Sequence, residues 1–232
     1  MDKLIQEASE LFKNCGFPYY VCGGFALELF AGKSIRRHSD VDISVFDENK
    51  RDVVAHLQDC GWIVYKKIFE VGSLGTVTPI SDADDSKLDD IWTIWAINPK
   101  THPGPKLREG ETDIYDFEIK MGHVQTEFNF VEIVLDSKDG DDFLCGKSKN
   151  AARKLDKAIL YKDGVPYMAP EVVLFLKSNK AYMTHDFHKA KTPADYKTIA
   201  PLLPSESRQW LIDALDKAYP DGYEWLDTHL QF

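Results

Sequence analysis

Apolar residues recur at helical spacing from the start of the chain: Leu4, Ile5, Ala8, Leu11 and Phe12 predict an amphipathic helix over 3–15. The run PYYVC (18–22) reads as a short strand, Gly23-Gly24 as a tight turn, and 25–31 as a helix stopped by Gly32. A strand is expected over 41–46. Val53, Val54 and Leu57 mark another helix, and 62–67 another strand. From about 68 to 135 the pattern is mostly β, with strands expected at 91–97, 113–121 and 124–135. The polar pieces 81–90 and 98–110 separate them, and Asp139-Gly140 predicts a turn within a solvated loop over 137–142.

After about 150 the pattern becomes helical. Pro170 suits the first position of a helix carrying Val172, Val173, Phe175 and Leu176. Thr192-Pro193 is expected to start another helix. Ser205 is expected to cap a third, with Trp210, Leu211, Ala214, Leu215 and Ala218 on its face. A short helix is expected over 221–230. The expected fold class is therefore α/β (α+β), with an N-terminal domain over 1–150 and a mostly helical one over 151–232.

Composition narrows the function classes. Of the 232 residues 44% are hydrophobic and 28% charged, as in an ordinary soluble globular protein. No apolar run has the roughly 20 residues of a membrane span. The acidic, amphipathic N-terminus does not read as a signal peptide, so a cytoplasmic location is expected. The four cysteines are scattered without a C-x-x-C pair, against a zinc site or a disulfide framework. A net charge of −10 weighs against a long nucleic acid as the main partner. It leaves room for a nucleotide in a local positive pocket and favours a cationic partner.

One feature runs against the pattern. Asp40 and Asp42 sit in the segment that continues Val41, Ile43 and Val45. On a strand, side chains two apart share a face, here about 6.5 Å apart along the backbone. Two carboxylates so placed repel each other unless a cation lies between them. A magnesium ion, held by one or two carboxylates plus substrate phosphates, meets that demand; an amphipathic strand facing water is the plainer account. Gly23-Gly24, between a short strand and a helix, is suited to present backbone N–H groups to a phosphate. Arg36, Arg37 and His38 then precede the acidic strand.

In this order, CGGFALELFAGKSIRRHSDVDISVF (22–46) resembles the signature of the nucleotidyltransferase superfamily related to DNA polymerase beta. It resembles in particular the branch of aminoglycoside 2''-nucleotidyltransferases and lincosamide nucleotidyltransferases. Gly23, Gly24, Ala26, Leu29, Phe30, Gly32, Arg36, His38, Asp40, Asp42 and Ile43 match that signature. Phe25, Glu28 and Lys33 depart from it mildly. DGDDFLCG (139–146), DGVPYMAPEVVLFLKS (163–178) and KTPADYKTIAPLL (191–203) resemble later family segments in the right order, while 60–125 matches poorly. The family's first aspartate after the lysine is lost at Thr192. With Thr192 as N-cap and Pro193 first in the helix, Asp195 is expected to cap the helix rather than touch a substrate.

The resemblance implies a nucleotidyltransferase fold with a mixed sheet, and an enzyme with three acidic residues, two from the D-x-D pair. Glu127 and Glu132 are the candidates for the third. They are five apart, so a regular strand would point them to opposite faces, and the spacing to Asp139-Gly140 favours Glu132. The reaction implied is Mg²⁺-dependent transfer of a nucleoside monophosphate, AMP from ATP, to a hydroxyl of a small molecule, with pyrophosphate released; the acidic chain would suit a cationic acceptor. Asp40, Asp42 and Glu132 are the expected catalytic and metal-holding residues. Gly23, Gly24, Arg36, His38, Ser39 and Lys177 are the expected nucleotide contacts. An antibiotic acceptor, with a role in antibiotic resistance, follows from the same resemblance. A protein or tRNA acceptor, and a catalytically silent nucleotide-binding module, are the alternatives.

Overall fold

The structure, a computed structural model, describes residues 1–71, 74–118, 124–147, 151–179 and 186–222. They form two compact units, each made of two stretches of chain: Met1–Val21 with Arg37–Leu135, and Cys22–Arg36 with Asp136–Phe232. No described helix is long and apolar enough to cross a membrane.

In the first unit, α1 (Lys3–Phe12) opens where the Leu4 N–H donates to the Asp2 carboxylate at 2.8 Å, an aspartate N-cap. Leu4, Ile5, Ala8 and Phe12 are buried, as their spacing predicts. The helix ends three residues early because the chain turns at Gly16, whose φ of +80° suits glycine. β1 (Tyr19–Val21) pairs antiparallel with β2 (Asp42–Phe46), Val21 opposite Ile43. α3 (Lys50–Asp59) buries Val53, Val54 and Leu57. Six further strands follow: β3 (Ile63–Val71), β4 (Leu74–Pro79), β5 (Thr93–Ile97), β6 (Lys106–Leu107), β7 (Tyr115–Glu118) and β8 (Phe130–Asp139). Their order in this unit is β1-β2-β8-β5-β3-β4-β7-β6.

The class is α/β, as read from the sequence, but some limits move. β3 runs four residues past its expected end and pairs with β4, which the turn-like composition around Gly75 and Pro79 concealed. A bulge interrupts that pairing between Lys67 and Phe69. Such bulges re-aim the side chains beside them. β8 begins at Phe130 rather than 124, because the Gln125 amide donates to the Glu127 and Phe130 carbonyls and holds a bend there. One sheet face carries the hydrophobic cluster of Tyr65, Val77, Trp95, Ile97 and Phe117, with the Trp95 and Phe117 rings 5.1 Å apart. Each such side chain removed from water contributes roughly 1.5–3 kcal/mol.

The second unit holds α2 (Gly23–Ala31) and the end of β8, which continues into β9 (Asp142–Leu144). The loop expected over 137–142 is thus a hairpin, with Asp139 opposite Asp142 around Gly140. β10 (Ala152–Lys154) pairs with β9, and the four-residue α4 (Leu155–Ala158) follows. β11 (Ile159–Lys162) and β12 (Val165–Met168) form a hairpin around Asp163 and Gly164, both at positive φ. α5 (Pro170–Lys177) starts on its proline as expected.

α6 (Asp186–Ile199) corrects the reading at Thr192-Pro193. The helix is already under way there, and Pro193 lies inside it. Thr192, Asp195, Tyr196 and Ile199 are all buried, and the Tyr196 hydroxyl donates to the Leu174 carbonyl at 2.6 Å. Those contacts outweigh the one N–H that proline lacks. In α7 (Ser205–Ala218) Pro204 occupies the N-cap position without a side-chain cap, so Ser205 is the first residue and not the cap. The helix expected over 221–230 falls almost entirely outside the described residues. Cys145 is buried beside Asp136, and burial pushes its thiol up to about 12, so it is no nucleophile at neutral pH.

Candidate active site

The acidic segment of the first unit is built on the start of β2. His38 is buried, and its carbonyl accepts from the Gln125 N–H at 3.0 Å. The Ser39 hydroxyl donates to the Asp40 carboxylate at 3.1 Å. Asp42 is the first residue of β2, whereas Asp40 lies two residues before the strand; both are half-buried. The expected strand over 41–46 therefore starts one residue late. Across from it, the Glu132 N–H donates to the Val41 carbonyl at 3.2 Å, so β8 places Glu132 opposite the peptide that enters Asp42.

Glu127 is exposed in the bend before β8, off the strand that would have set its face. Glu132 is on the strand, opposite Trp95 of β5, and its carboxylate lies 3.1 Å from the Lys67 ammonium. That ammonium also lies 5.2 Å from the centre of the Trp95 ring. Nothing in the sequence marks Lys67, which reads as one member of an alternating strand. Among the described residues no three Asp, Glu, His or Cys side chains stand close enough to cage a metal ion. Beside Lys67 opens a groove of about 380 Å³ lined by Ile68, Asp90, Trp92 and Thr93, and the Trp92 side chain is exposed.

The second unit holds the other expected residues. Gly23 and Gly24 begin α2, with Gly23 at φ +61°. A side chain at Gly23 would be strained there. Glu28, one turn on, ties down the basic loop: one carboxylate oxygen accepts from the Ile35 N–H (2.6 Å), the Arg36 N–H (3.1 Å) and the Ser34 hydroxyl (3.1 Å). The Arg36 Nε lies 3.2 Å from one oxygen of Asp195, and the Lys177 ammonium 3.0 Å from the other. Asp195 is only 1% exposed, against 20% and 19% for its two partners. It therefore spans two cations rather than capping a helix, and the structure brings Arg36 and Lys177 together through it.

Residues 4–72 match the family model described as aminoglycoside-2''-adenylyltransferase. No curated protein sequence matches the chain. Several solved structures are similar to it. The antibiotic-resistance factor ANT(2'')-Ia is 13% identical, with a TM-score of 0.48, over 97% of this chain and 94% of that one. The lincomycin-bound lincosamide antibiotic adenylyltransferase LnuA is also 13% identical, with a TM-score of 0.44, over 84% and 96%. An antigenic nucleotidyltransferase-like protein from Paracoccidioides brasiliensis is 18% identical, with a TM-score of 0.45, over 99% and 93%. Over 4–72, the stretch that carries Gly23-Gly24 and the Asp40–Asp42 pair, the chain is similar to the aminoglycoside-2''-adenylyltransferases, a family of nucleotidyltransferase enzymes.

Proposed function

We propose that the chain transfers a nucleoside monophosphate, AMP from ATP, to a hydroxyl of a small cationic molecule of the aminoglycoside kind, with magnesium as its metal. The observation that supports this best is the placement of Glu132 opposite the peptide entering Asp42, in a chain whose 4–72 match that family.

Two half-buried carboxylates near one strand start are an oxygen-only donor set, which fits magnesium completed by phosphates and water. Asp40 and Asp42 would hold the ion, and Glu132 would join them on leaving Lys67. Bound there, the ion supplies charge neutralisation for the triphosphate and the departing pyrophosphate. Glu132 takes the proton of the acceptor hydroxyl. The acceptor oxygen then bonds to the α-phosphorus as the bond from that phosphorus to the bridging oxygen of the β-phosphate breaks. Ser39 steadies the Asp40 carboxylate, and buried His38 fixes the segment that leads into it. Taken by itself, the second unit offers the amides of Gly23 and Gly24 and the cations of Arg36 and Lys177, groups suited to a phosphate. Trp92 and Asp90, beside Lys67, offer a ring face and a carboxylate suited to a polyhydroxylated cation.

A pyrophosphate-release screen with four nucleoside triphosphates, run against aminoglycosides, lincosamides, tRNA and protein acceptors, tests the reading. Release is expected only with a small hydroxylated acceptor and magnesium, and most strongly with ATP. Release with tRNA or protein alone would move the acceptor class. The Lys67–Glu132 pair favours one other reading, a nucleotide-binding module without catalysis. Nucleotide binding that needs no magnesium, with no release from any acceptor, would establish it. Within the enzyme reading, Glu132→Gln is expected to lower kcat by about 10²–10⁴, while Glu127→Gln leaves it unchanged. The reverse pattern would make Glu127 the third carboxylate.

A further inference from the structure

A carboxylate as buried as Asp195 costs several kcal/mol to desolvate unless close partners compensate it. It has two, drawn from segments far apart in sequence: Arg36 in the loop after α2 and Lys177 at the end of α5. The bond to arginine runs through Nε, the side of the guanidinium. The lysine approaches the other oxygen, so one carboxylate sets the lateral position of both cations. Each cation keeps about a fifth of its side chain exposed while the carboxylate between them is sealed. Glu28 fixes the backbone under the arginine through its bonds to the Ile35 and Arg36 N–H groups. A cation that must meet a polyphosphate works best when its position is set before the ligand arrives.

We propose that Asp195 is a positioning residue for the nucleotide: from α6 it holds Arg36 and Lys177 side by side as one phosphate-binding pair. This rests on the nucleotidyltransferase reading, and it makes α6 part of the nucleotide site. A purely structural Asp195 would tie α6 to α5 and to the loop after α2 without affecting the ligand.

The experiment is equilibrium titration of the full chain with a fluorescent ATP analogue, without acceptor, alongside steady-state kinetics and thermal unfolding. Asp195→Asn is expected to weaken nucleotide binding and raise the KM for ATP by about 10- to 100-fold, with the acceptor KM unchanged. Arg36→Ala should weaken binding in the native background, and much less once Asp195 is already Asn. Should Asp195→Asn not fold, Asp195→Glu reads the same point by moving the charge one methylene. A lowered Tm or kcat with wild-type ATP affinity in these variants would overturn the proposal. So would full nucleotide affinity in Arg36→Ala and Lys177→Ala. If Asp40→Asn meanwhile abolishes pyrophosphate release, the enzyme reading survives that failure. If the wild-type chain binds no nucleoside triphosphate, both fall.

Discussion

Asp42→Asn and Asp40→Asn are each expected to reduce pyrophosphate release by about 10³-fold or more, about 4 kcal/mol of transition-state stabilisation. Asparagine has the size of aspartate and keeps one carbonyl oxygen, but it loses the negative charge and the second oxygen that hold a hard cation and its phosphates. The fold should not suffer. Both positions are half-buried, and the backbone pairing of β2 with β1 runs over Ile43 to Val45, beyond both aspartates. The Tm is expected to hold, since asparagine fills the same space. Loss of activity at unchanged Tm is the mark of a functional pair. Full activity in either variant would dissolve the proposed site, and a large fall in Tm would make the pair structural.

The largest effect on stability is expected at Arg153 and Glu171. Their side chains are 8% and 2% exposed, with a guanidinium nitrogen 2.6 Å from the carboxylate. The Ser207 hydroxyl donates to the same carboxylate oxygen at 2.8 Å, and the Trp210 ring centre lies 5.2 Å from the guanidinium carbon. The indole N–H donates to the Ala152 carbonyl, so the pair joins β10, α5 and α7. Glu171→Ala leaves the buried cation to the exposed Glu206 carboxylate, 3.8 Å away, and is expected to cost about 3–5 kcal/mol, a large part of a typical total stability of about 5–15 kcal/mol. Replacing both, as Arg153→Met with Glu171→Leu, should recover most of that loss, since a buried pair is worth little more than well-packed apolar side chains. Urea unfolding monitored by tryptophan fluorescence checks both. A cost below about 1 kcal/mol in the single variant would mean that water reaches the guanidinium.

Much of the framework was legible because it is local. The spacing of Leu4, Ile5, Ala8 and Phe12 gave α1, and Pro170 gave the start of α5. The run 22–46 carried the family likeness through residues whose chemistry sits close together in sequence. What stayed hidden depends on distant partners. Asp195 looked like a cap because Thr192 and Pro193 make a sound local helix start. Its true partners, Arg36 and Lys177, lie 159 residues away in one case and on another helix in the other. Lys67 gave no signal because an exposed strand lysine and one aimed at Glu132 are written identically. Asp163-Gly164 was the opposite case, a local hairpin signal that helical expectations beyond 150 obscured.

The second unit is discontinuous, and that affects how the chain can assemble. Its first piece, Cys22–Arg36, is made a hundred residues before its second begins at Asp136. Until Lys162 emerges, the Leu29 carbonyl lacks its 2.7 Å ammonium partner, and until residue 195 emerges Arg36 lacks its carboxylate. Joining the pieces closes a long loop, whose entropic cost grows only slowly with length but whose search delays folding. During synthesis α2 must therefore wait for its partners in β11 and α6 until most of the polypeptide has been made. A fragment cut to begin near 136 would also lack the helix that its own lysine and aspartate are arranged to meet.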